Sequence, residues 1–343
     1  IFVKDQAMLT STQAYREQNT DKANLGGIES GPTINSYRTA VNIMAEQANT
    51  FIHLLAIPGI RAEEITTYTL QKVEDRFDAF YIMDVNQYDT QSELLSGSLT
   101  DDGLHIPQNA GFTNVHVKNT ASVFKGRNLD SSFGAAYFPD VAINYTGPDT
   151  PTAEEIAVPP SVAILGAFGL NDRLAAPYFA PAGFTRGRLQ DGLSEFTQLA
   201  DSNITRLFDA RINPIYSQAS SNGPVVFAQK TLLRASNALD RINVRRLLID
   251  VRRKVKEQAR FVLFEQNREA VLVDFSERCT TILANVQQNQ GIDRFKVVID
   301  SSTTTQADIE NNTIRGKIFL QPTKSVEFIS LDFVVTNQGA EGL

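Results

Sequence analysis

Two short apolar runs, at 51–57 and 78–85, enclose a helical pattern at 62–76, and no other feature constrains this chain as tightly. Both runs are too short for a buried helix. Both are continuous rather than alternating, as expected of strands covered on both faces. The first stops at Pro58-Gly59, a strong turn signal. Two buried strands joined by a helix make a βαβ unit, with parallel strands and a right-handed crossover. Residues 37–49 read as a preceding helix and 135–145 as a further strand, with 146–151 as a loop. Pro159-Pro160-Ser161 reads as the start of another helix, since proline suits the first turn. Ala163, Gly166 and Ala167 then put small side chains on one face, expected to pack closely against the sheet.

The remaining segments suggest three regions. Residues 1–33 have little periodicity and contain Gly26-Gly27 and Gly31-Pro32, so they read as an arm or connector. Residues 34–230 form an α/β core domain, within which 86–133 is turn-rich and could be an insertion. Weak elements are expected there at 114–117 and 121–129. A structured loop follows at 175–187 and a short strand at 225–228. From 231 to 343 the pattern changes to two long helices, at 238–264 and 268–289, and strands at 295–300, 313–320 and 325–336. The fold class is therefore α/β: a mixed or parallel sheet with flanking helices, plus a C-terminal α+β domain of paired helices against a small sheet.

Charge singles out one element. The formal net charge is −7, which disfavours nucleic acid as the main partner. Yet residues 241–260 hold eight Lys or Arg and two acids, so the rest of the chain carries −13. On a wheel of about 100° per residue, Arg252, Arg245, Lys256, Arg260, Arg253 and Arg246 fall between about 20° and 140° from Arg241. Leu247, Val251, Val244, Val255 and Leu248 fall between about 240° and 340°. A solvated face is the plain reading of such an arc. Six mutually repelling cations also suit an acidic protein surface, and no aromatic residues interleave with them to stack on bases. Arg241, Arg245, Arg246, Arg252, Arg253, Lys256 and Arg260 are therefore candidates for contact with a protein partner.

Catalytic chemistry is hard to assemble from this chain. Its three histidines are scattered: His53 within an apolar run, read as buried and satisfied, and His105 and His116 in the turn-rich region. Their spacing fits no metal-ligand motif. Gly166-Ala-Phe-Gly169 lacks the Gly-Lys-Ser/Thr ending of a phosphate loop, and no Gly-x-Ser-x-Gly elbow occurs. Cys279, the single cysteine, falls in an apolar helical stretch and reads as a core filler. No apolar run is long enough for a membrane-spanning helix. The expectation is no catalytic site, no cofactor, no metal and no stable membrane insertion.

Several segments, in chain order, resemble the contractile bacteriophage tail sheath family. They are Leu25-Gly-Gly-Ile-Glu-Ser-Gly31, Leu54-Leu-Ala-Ile-Pro-Gly-Ile60, Asp75-Arg-Phe-Asp-Ala-Phe-Tyr-Ile-Met-Asp84, Ala135-Ala-Tyr-Phe-Pro139 and Val158-Pro-Pro-Ser161. Asn171-Asp172 and Ala180-Pro-Ala-Gly183 follow, then Arg241-Ile-Asn-Val-Arg-Arg246 and Phe261-Val-Leu-Phe-Glu-Gln-Asn267. Pro322 and Glu327-Phe-Ile329 resemble the family's terminal strands. Tryptophan is absent, with Tyr178 and Phe179 beside the Ala-Pro-Ala-Gly stretch, and Phe227-Ala-Gln-Lys-Thr231 stands where relatives carry a glycine-containing stretch. These departures point to a divergent member, of the kind a large phage could carry.

The resemblance implies a structural subunit, not an enzyme. Such subunits form stacked hexameric rings around a tail tube and contract to drive the tube through a host envelope. It implies other sheath subunits, the tail tube protein, and baseplate and tail-terminating proteins as partners. The location implied is the virion tail, assembled in the bacterial host cytoplasm. By resemblance, the C-terminal domain faces the tube, so the basic helix could meet an acidic tube surface. A terminal strand bearing Val326, Phe328, Leu331, Phe333 and Val335 could join a neighbour's sheet. The sheath of a related contractile injection system is the near alternative, and a hydrolase-like enzyme on the same scaffold the distant one. The start at Ile1 reads as a product lacking an N-terminal portion.

Overall fold

Strands β1 (Leu54–Ala56) and β2 (Phe80–Asp84) pair in parallel, Leu54 opposite Phe80, and helix α2 (Glu63–Arg76) connects them. This is the expected βαβ unit. Helix α1 (Pro32–Ala45) precedes it. The structure is a computed structural model that describes residues 32–47, 50–86, 99–100, 103–104, 114–147, 150–189, 192–195, 197, 199–217, 223–266, 268–300, 302–325 and 327. A minimal hairpin of β3 (Leu99–Thr100) and β4 (Gly103–Leu104) leads to α3 (Asn114–Gly126), a single helix where two weak elements were expected.

β5 (Gly134–Phe138) lies parallel to β2, and β9 (Ile212–Tyr216) lies parallel to β5. β10 (Val225–Val226) closes the sheet antiparallel, giving the order β1-β2-β5-β9-β10. Every parallel step runs the same way across the sheet. Right-handed crossovers then put α2, α3 and α6 (Asp201–Asp209) on one face. Strand alternation divides the side chains accordingly. Phe80 and Tyr137 meet Phe168 of α4 (Pro160–Leu174) on the opposite face. Met83 points the other way, toward Arg127.

Three differences from the sequence expectation have physical causes. The single strand expected at 135–145 is two. Pro139 has no N–H to continue the ladder, and after it the chain leaves the parallel sheet as β6 (Val141–Gly147). β6 pairs antiparallel with β7 (Thr150–Val158) and β8 (Gly192–Glu195), in the order β7-β6-β8. The small-residue face of α4 is only partly as expected: Ala167 is buried and Ala163 packs against the core, but Gly166 does not. Ile164, Ala167, Phe168 and Asn171 are buried, whereas Gly166 and Gly169 face open space. The tight packing expected of Gly166 is therefore not found.

The third difference is β9, hidden in the sequence by the polar, strand-breaking pair Asn213-Pro214. Asn213 is buried but fully used. Its amide donates to the Ala136 and Lys230 carbonyls (3.1 and 2.8 Å), and its carbonyl accepts from the Lys230 amide (2.7 Å). The Lys230 ammonium lies over the Phe208 ring and donates to the Phe208 carbonyl at 2.9 Å. Burial first, then Arg211 and Arg241, lower its pKa from 10.5 to about 8. A lysine with a depressed folded pKa opposes folding below about 8, and that opposition vanishes as pH rises toward 10.5. Wild type should therefore gain about 1 kcal/mol relative to Lys230→Met between those pH values, allowing for partial exposure. Urea titrations at a series of pH values would measure this, and a flat difference would contradict it.

The C-terminal elements are α7 (Ile242–Ala259), α8 (Glu269–Gln288), β11 (Ile292–Val298), α9 (Gln306–Glu310) and β12 (Lys317–Pro322). β11 and β12 pair antiparallel, and α8 packs on β11. One small core joins Leu247 and Val251 of α7 to Leu283, Val286 and Ile292. Another holds Leu272, Cys279 and Ile299, so Cys279 is a core residue as expected. A reciprocal capping box between Thr305 and Asp308 starts α9. Val326, Phe328, Leu331, Phe333 and Val335 lie outside the described residues, as does residues 1–31 of the arm.

Candidate functional site

Helix α7 carries the candidate cations, and it is apolar on two sides. Leu247 and Val251 enter the C-terminal core, while Ile242 and Ile249 enter the main core under the parallel sheet. On the wheel these two isoleucines fall at about 100° and 80°, in the middle of the basic arc. Around Ile242 and Ile249, that arc therefore faces the α/β core rather than bulk solvent. The cations sit where the isoleucines bring them.

Four of them lie over phenylalanine rings, two in the core (Phe133 and Phe168) and two at its exposed edge (Phe51 and Phe77). Arg245 sits 4.1 Å from the centroid of Phe133, Arg246 4.8 Å from Phe168, Arg252 4.9 Å from Phe77 and Arg253 4.0 Å from Phe51. Guanidinium planes stack on aromatic faces in a way ammonium groups cannot. Arg246 is the most enclosed, its side chain 4% exposed, and it pairs with Asp172 at the end of α4. Arg245 also donates to Ser132, and burial pushes its pKa down to about 10 against the pull of Glu74. Arg241 bonds Glu327 at 2.6 Å and Asp240 at 3.0 Å, and Lys256 donates to Gln47 at 2.8 Å. Arg252, Lys256 and Arg260 are exposed. Neither a solvated face nor a wholly free docking face describes this helix. Most of the cations form a seat between the C-terminal elements and the α/β core.

A second polar junction lies at the carboxyl ends of the parallel strands. Asp84 ends β2 and is fully buried. It accepts hydrogen bonds from the Gly59 amide (3.0 Å), the Ser161 amide (2.8 Å) and the Ser161 hydroxyl (2.7 Å). Arg61 pairs with Asp140 at 2.5 Å, both side chains 4% exposed, just after β5. Burial raises the pKa of both carboxyl groups; Arg61 opposes this at both, and the bonds from Ser161 and Gly59 oppose it at Asp84. Pro58-Gly59, Asp84, Pro139-Asp140 and Pro160-Ser161 thus converge on one closed cluster. It offers a substrate no open face and serves to weld three strand ends to the start of α4.

A third set of motif residues supports the seat. Asn171 donates to the Ala176 and Phe179 carbonyls at 3.1 and 3.3 Å, and Arg186 lies over Phe179 while donating to Ala180. These bonds fold the expected loop at 175–187, which includes α5 (Gly183–Arg186). A Cβ on Gly187 would come within 2.5 Å of the Ala182 backbone, so only glycine fits there. Tyr178 reaches from this loop to the C-terminal core.

Among the described residues the two histidines stand on separate segments. His53 is exposed rather than buried, its ring edge-on to Phe51 with centroids 5.2 Å apart. Within the apolar run that suggested burial, the strand itself begins one residue later, at β1. Partial desolvation of its ring, then the neighbouring Arg253 and Arg246, lower its pKa. His116 lies on α3, and His105 lies outside the described residues. Among the described residues there is no cluster of three or more His, Cys, Asp or Glu suited to a metal, and no helix long and apolar enough to cross a membrane.

The architecture defines a contractile-sheath fold. The chain superposes on the sheath of an extracellular contractile injection system in its contracted state with a TM-score of 0.64, covering 98% of this chain and 88% of that one at 20% identity. The contracted helical sheath of the anti-feeding prophage gives a TM-score of 0.59, covering 88% and 74% at 19% identity. By sequence, part of the chain is similar to phage tail sheath proteins. It is 32% identical over 184 residues to that of Vibrio phage KVP40 and 28% identical over 184 residues to that of Enterobacteria phage T4. These matches cover 54% of this chain but only 27% and 28% of the relatives' own length. No protein-family description matches the chain. Each of these relatives is named as a tail sheath protein.

Proposed function

We propose that this chain is the body of a contractile phage tail sheath subunit. In this reading it polymerises as stacked hexameric rings around a tail tube and contracts to drive the tube through a host envelope. One observation carries it. The motif residues that resemble those of the sheath family meet in buried junctions that lock the α/β core, the loop at 175–187 and helix α7 together. A subunit that transmits force must keep such elements rigid while its contacts with neighbours switch between two arrangements. The partners are other sheath subunits, the tail tube protein, and baseplate and tail-terminating proteins. The setting is the virion tail, after assembly in the host cytoplasm. Electron microscopy of the full-length protein tests the proposal: tubular polymers are expected, and sustained failure to form them with tube protein present would overturn it.

Tube contact falls to the exposed part of the basic set, Arg252, Lys256 and Arg260, with Arg241, Arg245, Arg246 and Arg253 holding the helix in place. Reversing these three to Glu should weaken sheath–tube co-sedimentation at least about ten-fold in low salt, while wild-type binding itself declines as salt rises. Unchanged co-sedimentation would rule out this face. The terminal strand bearing Val326, Phe328, Leu331, Phe333 and Val335 would extend a neighbour's sheet by β-augmentation. The sheath of a related injection system is a second reading, favoured by the fold likeness to such sheaths, and the genes flanking this one would separate the two.

A further inference from the structure

Between the C-terminal ends of α3 and α6 lies a cleft of about 360 Å³ that none of the junctions above uses. Phe124, Leu129 and Leu232 form its apolar wall, and Lys125, Arg211 and Arg234 bring three cations against the single carboxylate of Asp209. The nearby helix-end carbonyls are already occupied. Lys230 donates to the Phe208 carbonyl, and Arg234 to the Lys125 carbonyl and the Asn128 side chain. Arg211 is different. It stands at the turn into β9 with φ 64°, and one guanidinium nitrogen donates to the Arg234 carbonyl at 2.9 Å. Its other terminal nitrogen is buried without a hydrogen-bond partner. A buried cationic donor left unused is costly, and a rotation of the side chain that turns it toward an acceptor in the cleft relieves that cost.

We propose that this cleft receives an Asp or Glu side chain from a second copy of this chain. The apolar wall suits the aliphatic stem of such a residue, and the guanidinium groups of Arg211 and Arg234 suit its carboxylate. A second copy is the occupant because the chain is itself acidic, at −7, so its surface presents many carboxylates to a local excess of two positive charges. This contact rests on the sheath reading, since it needs copies of the chain to meet. It adds to that reading a specific socket on the α3–α6 face, lined by residues other than those of the α7 seat.

Carbodiimide coupling tests the socket directly, because it joins carboxylates to lysine amines and Lys125 lines the cleft. Full-length polymers assembled from an equal mixture of ¹⁵N-labelled and unlabelled protein would be coupled, digested and analysed by mass spectrometry. Mixed-isotope peptides joining Lys125 to an Asp or Glu of another copy are expected. Arg211→Met, and separately Lys125→Met as a gentler surface change, should raise the concentration needed for polymerisation at least about ten-fold at low salt, with melting temperature little changed. If polymers form but Lys125 joins only residues of its own copy, or if both variants polymerise normally, the socket is overturned and the sheath reading stands. If wild type forms no polymers, the sheath reading falls and the socket with it.

Discussion

Alanine in place of Asp84 should lower the free energy of unfolding by about 4 kcal/mol, among the larger effects a single substitution can have. The carboxylate is fully buried and accepts two backbone amides and a hydroxyl. Removing it strands the Gly59 amide, in the turn after β1, and the Ser161 amide, in the first turn of α4. Each is a buried donor that water cannot reach. It also removes one of the two carboxylates beside Arg61. Asparagine in the same place should cost about 2 kcal/mol, because one of its polar atoms is a donor facing donors. Ser161→Ala, which deletes only the hydroxyl, should cost about 1 kcal/mol. Urea denaturation followed by circular dichroism would rank the three. A loss below 1 kcal/mol for Asp84→Ala would mean that the junction relaxes and does not hold the strand ends together.

The parallel core was legible because it follows from local rules. Continuous apolar strands, a helix between them and breakers at Pro58-Gly59 and Pro159-Pro160 leave few other arrangements. β9 was not legible. Its polar and breaking residues, Asn213 and Pro214, are satisfied only by partners distant in sequence, in β5 and at Lys230. His53 was misplaced for the opposite reason, since an apolar neighbourhood in sequence need not enclose every residue in it. The basic helix was half legible. Its cations and outer apolar stripe were plain, but Ile242 and Ile249 within the basic arc mark a second buried side. That signal was available in the residues. What the sequence could not supply was the set of phenylalanines beneath the arginines, because Phe51, Phe77, Phe133 and Phe168 come from four segments distant in sequence. The Asp84 junction had a similar status. Its members were visible as separate motifs, and their meeting was a matter of tertiary structure.

Arg246 is where the cost of losing the seat should be concentrated. Its side chain is almost wholly enclosed, stacks on Phe168 and pairs with Asp172. Methionine there keeps most of the volume but leaves Asp172 without its partner and Phe168 without its cation. A loss of about 3 kcal/mol is expected. Lysine should recover little of it, lacking a planar face to stack and a fork to share between ring and carboxylate. Asp172→Asn should cost about 1 to 2 kcal/mol, and the double variant less than the sum of the singles, with a coupling of about 1.5 kcal/mol. Arg260→Met, on the exposed end of the same helix, should change stability by less than about 0.5 kcal/mol. The contrast separates two uses of one basic helix. If the Arg246 loss persists in 1 M salt while sheath–tube binding does not, the buried arginines hold the subunit together and the exposed ones meet its partner. If Arg246→Met and Arg260→Met are equally mild, α7 is not seated by its arginines, and the two isoleucines alone must hold it against the core.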